Sequence, residues 1–309
     1  MKDNIHELAR GRWRSILMAA GFNETVLSGK HGPCPLCGGK DRWRWTNHEN
    51  GGSGICNACG PKTGVDLVMA ILKLQFADAR KFILEQIGKA PVETTPKRNN
   101  EQGIKRLSKL WLEANRLSGD DPASLYLAKR GITLAEYPTQ LRYHSRVAYL
   151  HDDKSLTYHP ALLSKFVSPD AKTFTLHTTF LDMDGNKAAL PKVKKLAPVS
   201  VPLGGAVRLG NSAETMGIAE GIETALSAHQ MFDVPVWAAL STGCLLKWEP
   251  PTTAKNILIF ADYDEGFAGQ AAAYPLAHKL AAKGFHVEVR MPPDLGDWND
   301  VLAAEKEFA

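Results

Sequence analysis

Two pairs of cysteines place the tightest constraint on this sequence. Cys34 and Cys37 flank Pro35-Leu36, Cys56 and Cys59 flank Asn57-Ala58, and 18 residues separate the pairs. A two-residue gap lets one tight turn aim two sulfurs at one point, and two such turns close a tetrahedron. Gly38, Gly39 and Gly60 follow the pairs, where the chain must leave each turn. In a reducing compartment, cysteines spaced this way bind metal rather than form disulfides. Four thiolates leave no open coordination position, so the one Zn²⁺ they select is structural. Cys244 stands alone and reads as a small packing residue.

Between the pairs runs Asp41-Arg42-Trp43-Arg44-Trp45. In a strand, side chains alternate faces, so both tryptophans share one face and both arginines the other. Cations interleaved with aromatics suit single-stranded nucleic acid, guanidinium to phosphate and indole to base. The alternative is that the tryptophans pack beneath the ribbon.

Charge is uneven along the 309 residues. Residues 1–110 carry 18 Lys and Arg against 10 Asp and Glu, and residues 111–210 carry 13 against 9. Residues 211–309 reverse the balance, with 6 against 14. A basic front suits a polyanion. An acidic back meets phosphate only with divalent cations between them. No stretch approaches the roughly 18 apolar residues that span a bilayer. Met1–Arg14 shows no apolar run before a cleavage site, so a cytoplasmic protein with no membrane partner is expected.

The patterning divides the chain into four parts. Residues 1–89 hold the cysteines between helices expected over 4–20 and 64–88. Residues 90–103 are polar, with two prolines and a glycine, and read as a linker. Residues 104–210 begin helical, with Asp120, Asp121 and Pro122 starting a second helix, and turn strand-like from 140. Within them Thr173–Leu181 reads as a strand, Asp182–Asn186 as a turn, and His177 as a satisfied, half-buried histidine. Residues 211–309 alternate strand and helix, the pattern of a mainly parallel sheet covered by helices. The fold class is α/β, α+β overall.

In that last part, acids stand just after apolar strands. Glu220 follows Met216–Ala219, with Glu223 three residues on. Asp262 and Asp264 follow Ile257–Ala261. Asp297 and Asp300 follow a third strand. The carboxyl edge of an open parallel sheet is where ligands bind. Clustered carboxylates repel unless a cation sits among them, and an all-oxygen ligand set points to Mg²⁺ or Mn²⁺.

Several stretches here resemble a known family. Residues 31–68, with Pro-Cys-Pro-Leu-Cys-Gly-Gly-Lys-Asp-Arg-Trp-Arg-Trp and Gly-Ile-Cys-Asn-Ala-Cys-Gly, resemble the zinc ribbon of phage primase–helicases. Ala219–Leu226 with Phe260–Gly269 resembles a Toprim domain, a metal-binding fold of primases, topoisomerases and some nucleases. Tyr126–Ile132 and Gly204–Leu209 are similar to the intermediate region of phage, plasmid and island primases. The resemblance implies Glu220, Asp262 and Asp264 as catalytic and metal-binding, supported by Asp297, Asp300 and Glu223. It departs at Thr224, where bacterial primases have an aspartate. It also implies a single-stranded DNA template, ribonucleoside triphosphates and, since no phosphate-loop motif occurs, a separate replicative helicase. Arg42, Trp43, Arg44, Trp45, Arg130, Lys187, Lys192, Lys194, Lys195 and Arg208 are the candidates for DNA or nucleotide contact. Short RNA primer synthesis by metal-dependent nucleotidyl transfer is the expected function. A Toprim nuclease and a non-catalytic DNA-binding module are the alternatives.

Overall fold

The computed structural model describes residues 5–47, 50–89 and 100–307. The chain divides into two compact units, Met1–Lys97 and Arg98–Ala309. Among the described residues no helix is long and apolar enough to cross a membrane.

The first unit begins with helices α1 (Ile5–Leu8) and α2 (Trp13–Ala19). The sequence pattern predicts one helix here; the chain instead breaks at Gly11, whose φ of 73° is left-handed. Four short strands follow: β1 (Gly32–Cys34), β2 (Gly38–Trp45), β3 (Gly54–Cys56) and β4 (Gly60–Lys62). They pair antiparallel in chain order. Helices α3 (Gly64–Leu72) and α4 (Phe76–Ile87) close the unit. The single helix expected over 64–88 is divided at Lys73, which has left-handed φ of 53°. Thr63 and Asp66 start α3 with a reciprocal capping box: Thr63 Oγ1 accepts from the Asp66 amide, and Asp66 Oδ2 accepts from the Thr63 amide. Trp13, Ile16, Leu17, Trp43, Leu67 and Ile83 fill the core. Gly64 is required because a Cβ there would collide with the Trp13 ring.

The second unit opens with α5 (Asn100–Glu113) and α6 (Pro122–Ala128). Residues 100–103, expected in the linker, form the first turn of α5, while 90–99 lie outside the described residues. Asp121 caps α6 by accepting from the amides of Ala123 and Ser124, as the Asp-Pro start implies. Five strands follow: β5 (Leu141–Leu150), β6 (Leu156–Val167), β7 (Phe174–Phe180), β8 (Lys194–Leu196) and β9 (Ala206–Val207). Strand and helix then alternate: β10 (Thr215–Ala219), α7 (Ile222–Phe232), β11 (Val236–Ala238), α8 (Thr242–Leu245), β12 (Asn256–Phe260), α9 (Ala268–Ala281), β13 (His286–Arg290) and α10 (Trp298–Glu307).

Among the described residues the nine strands of this unit form one sheet, ordered β13-β12-β10-β11-β9-β6-β7-β8, with β5 also paired to β6, off this path. The four strands β13, β12, β10 and β11 are parallel. β9 is antiparallel to both β11 and β6, and so continues the parallel half into the antiparallel half. Alternation along the strands supplies the two faces. Met216, Ile218, Ile257 and Ile259 pack with α9 and Trp248, whereas Ala219 and Phe260 pack with α7, α10 and Trp298. The strand order reverses at β10: the chain goes to β11 on one side and then crosses to β12 on the other. Ligand sites in open α/β sheets form at the carboxyl ends of strands at such a switch point.

Candidate functional site

The four cysteine sulfurs lie within 4.8 Å of one another, and among the described residues they are the only group of three or more ligand-type side chains gathered so closely. Backbone geometry prepares them for a cation. The Leu36 amide donates to Cys34 Sγ, and those of Ala58 and Cys59 to Cys56 Sγ. Burial works against ionising Cys56, but the amides of Cys59 and Ala58 hold its thiol down to about 6. Hydrogen bonding to the sulfurs of Cys37 and Cys56 pushes Cys59 up to about 12. Four sulfurs this close cannot all be thiolates without a positive ion, so the set fits one structural zinc.

Over Arg42–Trp45, the end of β2, exposed and buried residues alternate, as the sequence predicts. The faces do not serve the role expected of both residue types. Trp43 is 1% and Trp45 8% exposed, and both belong to the core. Trp43 Nε1 donates to the Val26 carbonyl, and a Cβ on Gly54 would collide with the Trp43 ring. Base stacking by these indoles, expected from sequence, is corrected: their faces are used in packing. Arg42 and Arg44 lie on the exposed face.

The second site is at the carboxyl edge of the parallel strands. β10 and β12 are neighbours with Ala219 opposite Phe260, so Glu220 and Asp262 emerge side by side. Glu220, Glu223, Thr224, Asp262 and Asp297 line one cavity of about 250 Å³, together with Lys194 and His177. Burial first, then the charges of Asp297, Glu220, Asp264 and Asp300, pushes the Asp262 carboxyl up to about 7. Asp262 Oδ1 is buried without a protein partner. Burial also raises Glu220, with the Thr242 amide opposing and Asp264 adding to the rise. Asp297 is raised by burial and by Asp300. Such a group of carboxylates, one of them orphaned, has the all-oxygen donor chemistry of a divalent-cation site, although its oxygens are not drawn together as the four sulfurs are.

The loops that carry these acids are tied together. Tyr263 and Gly296 exchange two backbone hydrogen bonds, which fixes the Asp262 segment against that of Asp297. Asp297 Oδ1 accepts from the amides of Asn299 and Asp300, and Asp300 Oδ2 accepts from the Asp297 amide. Asp300 is thus occupied in starting α10. Asp264 Oδ2 accepts from the Gly269 amide at the start of α9, and Asp264 does not line the cavity. Gly269 is needed because a Cβ there would collide with the Asp262 backbone. Asp297, expected only in support, joins Glu220, Glu223 and Asp262 in lining the cavity.

Residues 215–307 match the Toprim domain, and residues 29–65 match the zinc-binding domain of primase-helicase. The chain carries a primase zinc ribbon and a Toprim domain. Residues 101–209 match a domain of unknown function, DUF7146. The chain is similar to the primase fragment of the bacteriophage T7 primase-helicase, at 16% identity and a TM-score of 0.39, covering 90% of this chain and 97% of that one. It is similar to the Aquifex aeolicus primase, zinc-binding and RNA polymerase domains, at 15% identity and a TM-score of 0.40, covering 100% and 85%. A DNA primase domain from Pseudomonas aeruginosa is similar at 14% identity and a TM-score of 0.42, covering 67% and 76%.

The region before the Toprim domain supplies one wall of its acidic cavity. Glu223 is buried on α7, where Tyr126 Oη donates to Oε1 at 2.6 Å and Lys194 Nζ to Oε2 at 2.8 Å. Burial alone raises this carboxyl, but the Lys194 charge and the two hydrogen bonds more than offset it and hold it well below the usual range. Glu223 is therefore a buried ion-pair partner. Lys194→Met leaves that charge without its cation and is expected to cost about 2 kcal/mol, discounted because the lysine is partly exposed. Adding Glu223→Gln should restore most of the loss. Urea unfolding of the single and double variants checks this; an unchanged midpoint for Lys194→Met contradicts it.

The remaining basic candidates separate. Lys194 and Lys195 alternate across β8. Lys194 reaches Glu223, while Lys195 lies 3.3 Å over the Tyr149 ring and donates to the Leu150 carbonyl. The three lysines 192, 194 and 195 therefore do not act as one cluster. Lys192 and Lys187 are both exposed. Arg130 donates to Asn299 Oδ1 and stacks on Tyr126, which ties α6 to α10. Arg208 donates to the carbonyls of Ser168 and Pro169 in a separate groove of about 840 Å³ that none of Glu220, Asp262, Asp264, Asp297 and Asp300 lines.

His177 departs from its sequence expectation. It is 9% exposed, and Nδ1 has no protein partner. Burial, reinforced by the Lys194 charge, pushes the imidazole down to about 4, so it is neutral near pH 7. Thr175, His177 and Thr179 occupy one face of β7, and Ser164 stands opposite His177 on β6. Ser164 Oγ, Thr175 Oγ1 and Thr179 Oγ1 are likewise buried without protein partners. The opposite face carries Leu176 and Phe180, which pack against α5. The polar alternation of β7 was the sequence signal for this face.

Proposed function

We propose that this chain is a DNA primase of phage or mobile-element type. It synthesises short RNA primers on single-stranded DNA, and a separate helicase supplies the unwound template. The observation that carries the reading is the shared cavity of Glu220, Asp262 and Asp297, whose mutual repulsion calls for a divalent cation. Glu220, Asp262 and Asp297 would hold Mg²⁺ or Mn²⁺, with Asp264 adding negative charge from just outside. Such an ion, when bound, neutralises triphosphate charge and favours ionisation of an attacking hydroxyl. The chain's own task is to position the reactants: its acids fix where the triphosphate can sit. The exposed Arg42 and Arg44 of the ribbon are suited to template phosphates and would set where synthesis starts. Such a protein works in the cytoplasm.

Incubation with a panel of single-stranded templates, labelled ribonucleotides and Mg²⁺ or Mn²⁺ tests the reading. Short template-dependent RNA is expected from the wild type and is lost in Cys34→Ser and Glu220→Gln. DNA cleavage without nucleotides, and no synthesis, would replace the primase reading with a nuclease.

A further inference from the structure

The acidic cavity does not end at the acids. Lys194, His177 and Leu240 line it and also a second cavity of about 330 Å³. That second cavity is an apolar slot walled by Phe166, Leu196 and Val201, with Ser241 and Cys244 at its side. The chemistry therefore changes in order along the cleft, from carboxylates, through His177 and Lys194, to an apolar slot. A nucleotide has the same order of parts: phosphates that need a cation, a sugar bearing hydroxyls, and a flat base. Ligand sites are commonly apolar walls with a few placed polar groups, and the placed group here is at the junction.

We propose that His177 holds a sugar hydroxyl of the nucleotide, with the base in the slot beyond it. The inference rests on the primase reading for the orientation of the phosphates. Of the two polar side chains at the junction, Lys194 is committed to Glu223 at 2.8 Å. His177 is nine-tenths buried and its Nδ1 has no protein partner. A neutral imidazole offers one donor and one acceptor, the complement of a hydroxyl, and gives no charge to compete with the acids for phosphate. Buried polar groups are ordinarily hydrogen-bonded, so an orphaned Nδ1 on a ring that lines a cavity marks a place where a ligand group belongs. Ser164, Thr175 and Thr179 extend the same polar face behind it. His177 lies within residues 101–209, so this domain of unknown function would choose the sugar for the Toprim domain.

The test is calorimetric binding of ATP, 2′-deoxy-ATP and 3′-deoxy-ATP with Mg²⁺ to the full chain, alongside primer synthesis. Wild type should prefer ATP over at least one deoxy analogue by about tenfold, the size of one hydrogen bond in a buried site. His177→Phe, which fills the ring's volume without nitrogens, and His177→Ala should each reduce that preference below about threefold. Affinity for the deoxy analogue should stay unchanged, and so should the melting temperature of at least one variant. An unchanged preference in the folded variant overturns the proposal while wild-type synthesis leaves the primase reading intact. His177-dependent sugar preference without any primer synthesis supports the proposal and removes the primase reading. Failure of the wild type to bind any of the three nucleotides overturns the proposal.

Discussion

Removing the metal from the ribbon is expected to unfold residues 5–89 and leave the second unit folded. β1, β3 and β4 are three residues each, too short to hold a sheet by their own ladders. Cys34 and Cys56 are themselves core residues of this unit, packed with Trp43. Structural zinc contributes an apparent binding energy of about 10–16 kcal/mol to folding, more than the net stability a unit this size retains once chain entropy has opposed its apolar core. Chelation, or Cys34→Ser, should therefore abolish the melting transition of the first unit. Amide exchange in β10–β13 should be unaffected. A ribbon that keeps its exchange protection after the metal is stripped would contradict this account of its stability.

Asp262→Asn is expected to make the metal-free protein more stable and, on the proposed primase reading, to lose almost all primer synthesis. The sign follows from the raised carboxyl. Its ordinary value is 3.8 and its folded value about 7. Between those values the folded chain holds a proton that the unfolded chain has released, so stability falls as pH rises through that window. Above about pH 7 the repulsion is fully expressed, and asparagine removes it. The gain at pH 8 should be about 1–2 kcal/mol after allowing for solvent near the cluster, and should vanish near pH 4. Mg²⁺ should stabilise the wild type more at pH 8 than at pH 6, because protons compete for the same oxygens. Its effect on Asp262→Asn should be smaller. Synthesis should fall roughly 100- to 1000-fold, corresponding to several kcal/mol of lost charge stabilisation.

The cysteine set and the acidic cluster were legible in sequence for different reasons. The cysteines declare themselves by spacing alone, since both turns are local. The acids are far apart in sequence, but each follows an apolar strand, and parallel strands bring their carboxyl ends to one edge. What the pattern could not supply was the division of labour among them. Asp264 gives an oxygen to a backbone amide at the start of α9, and Asp297 and Asp300 both do so at the start of α10, arrangements that depend on loop paths invisible in a strand-and-turn reading. Asp297 enters the cavity because Tyr263 and Gly296 pair across those loops. Glu223 reads equally as a solvated helix residue until Tyr126, 97 residues away, is placed against it. The ribbon tryptophans show the opposite case. Period-two alternation put them on one face correctly, but which face met the core depended on helices α2–α4. The continuous nine-stranded sheet was likewise hidden, because the two residues of β9 that bridge its halves carry no strand signature of their own.

The most direct test of the acidic site is incorporation of labelled ribonucleotide by Asp262→Asn at pH 8 with saturating Mg²⁺ and a single-stranded template. This variant should melt above the metal-free wild type, so lost synthesis cannot be put down to unfolding. The account predicts less than about one hundredth of the wild-type rate. A folded Asp262→Asn that primes as fast as the wild type would show that these carboxylates are not the polymerising centre.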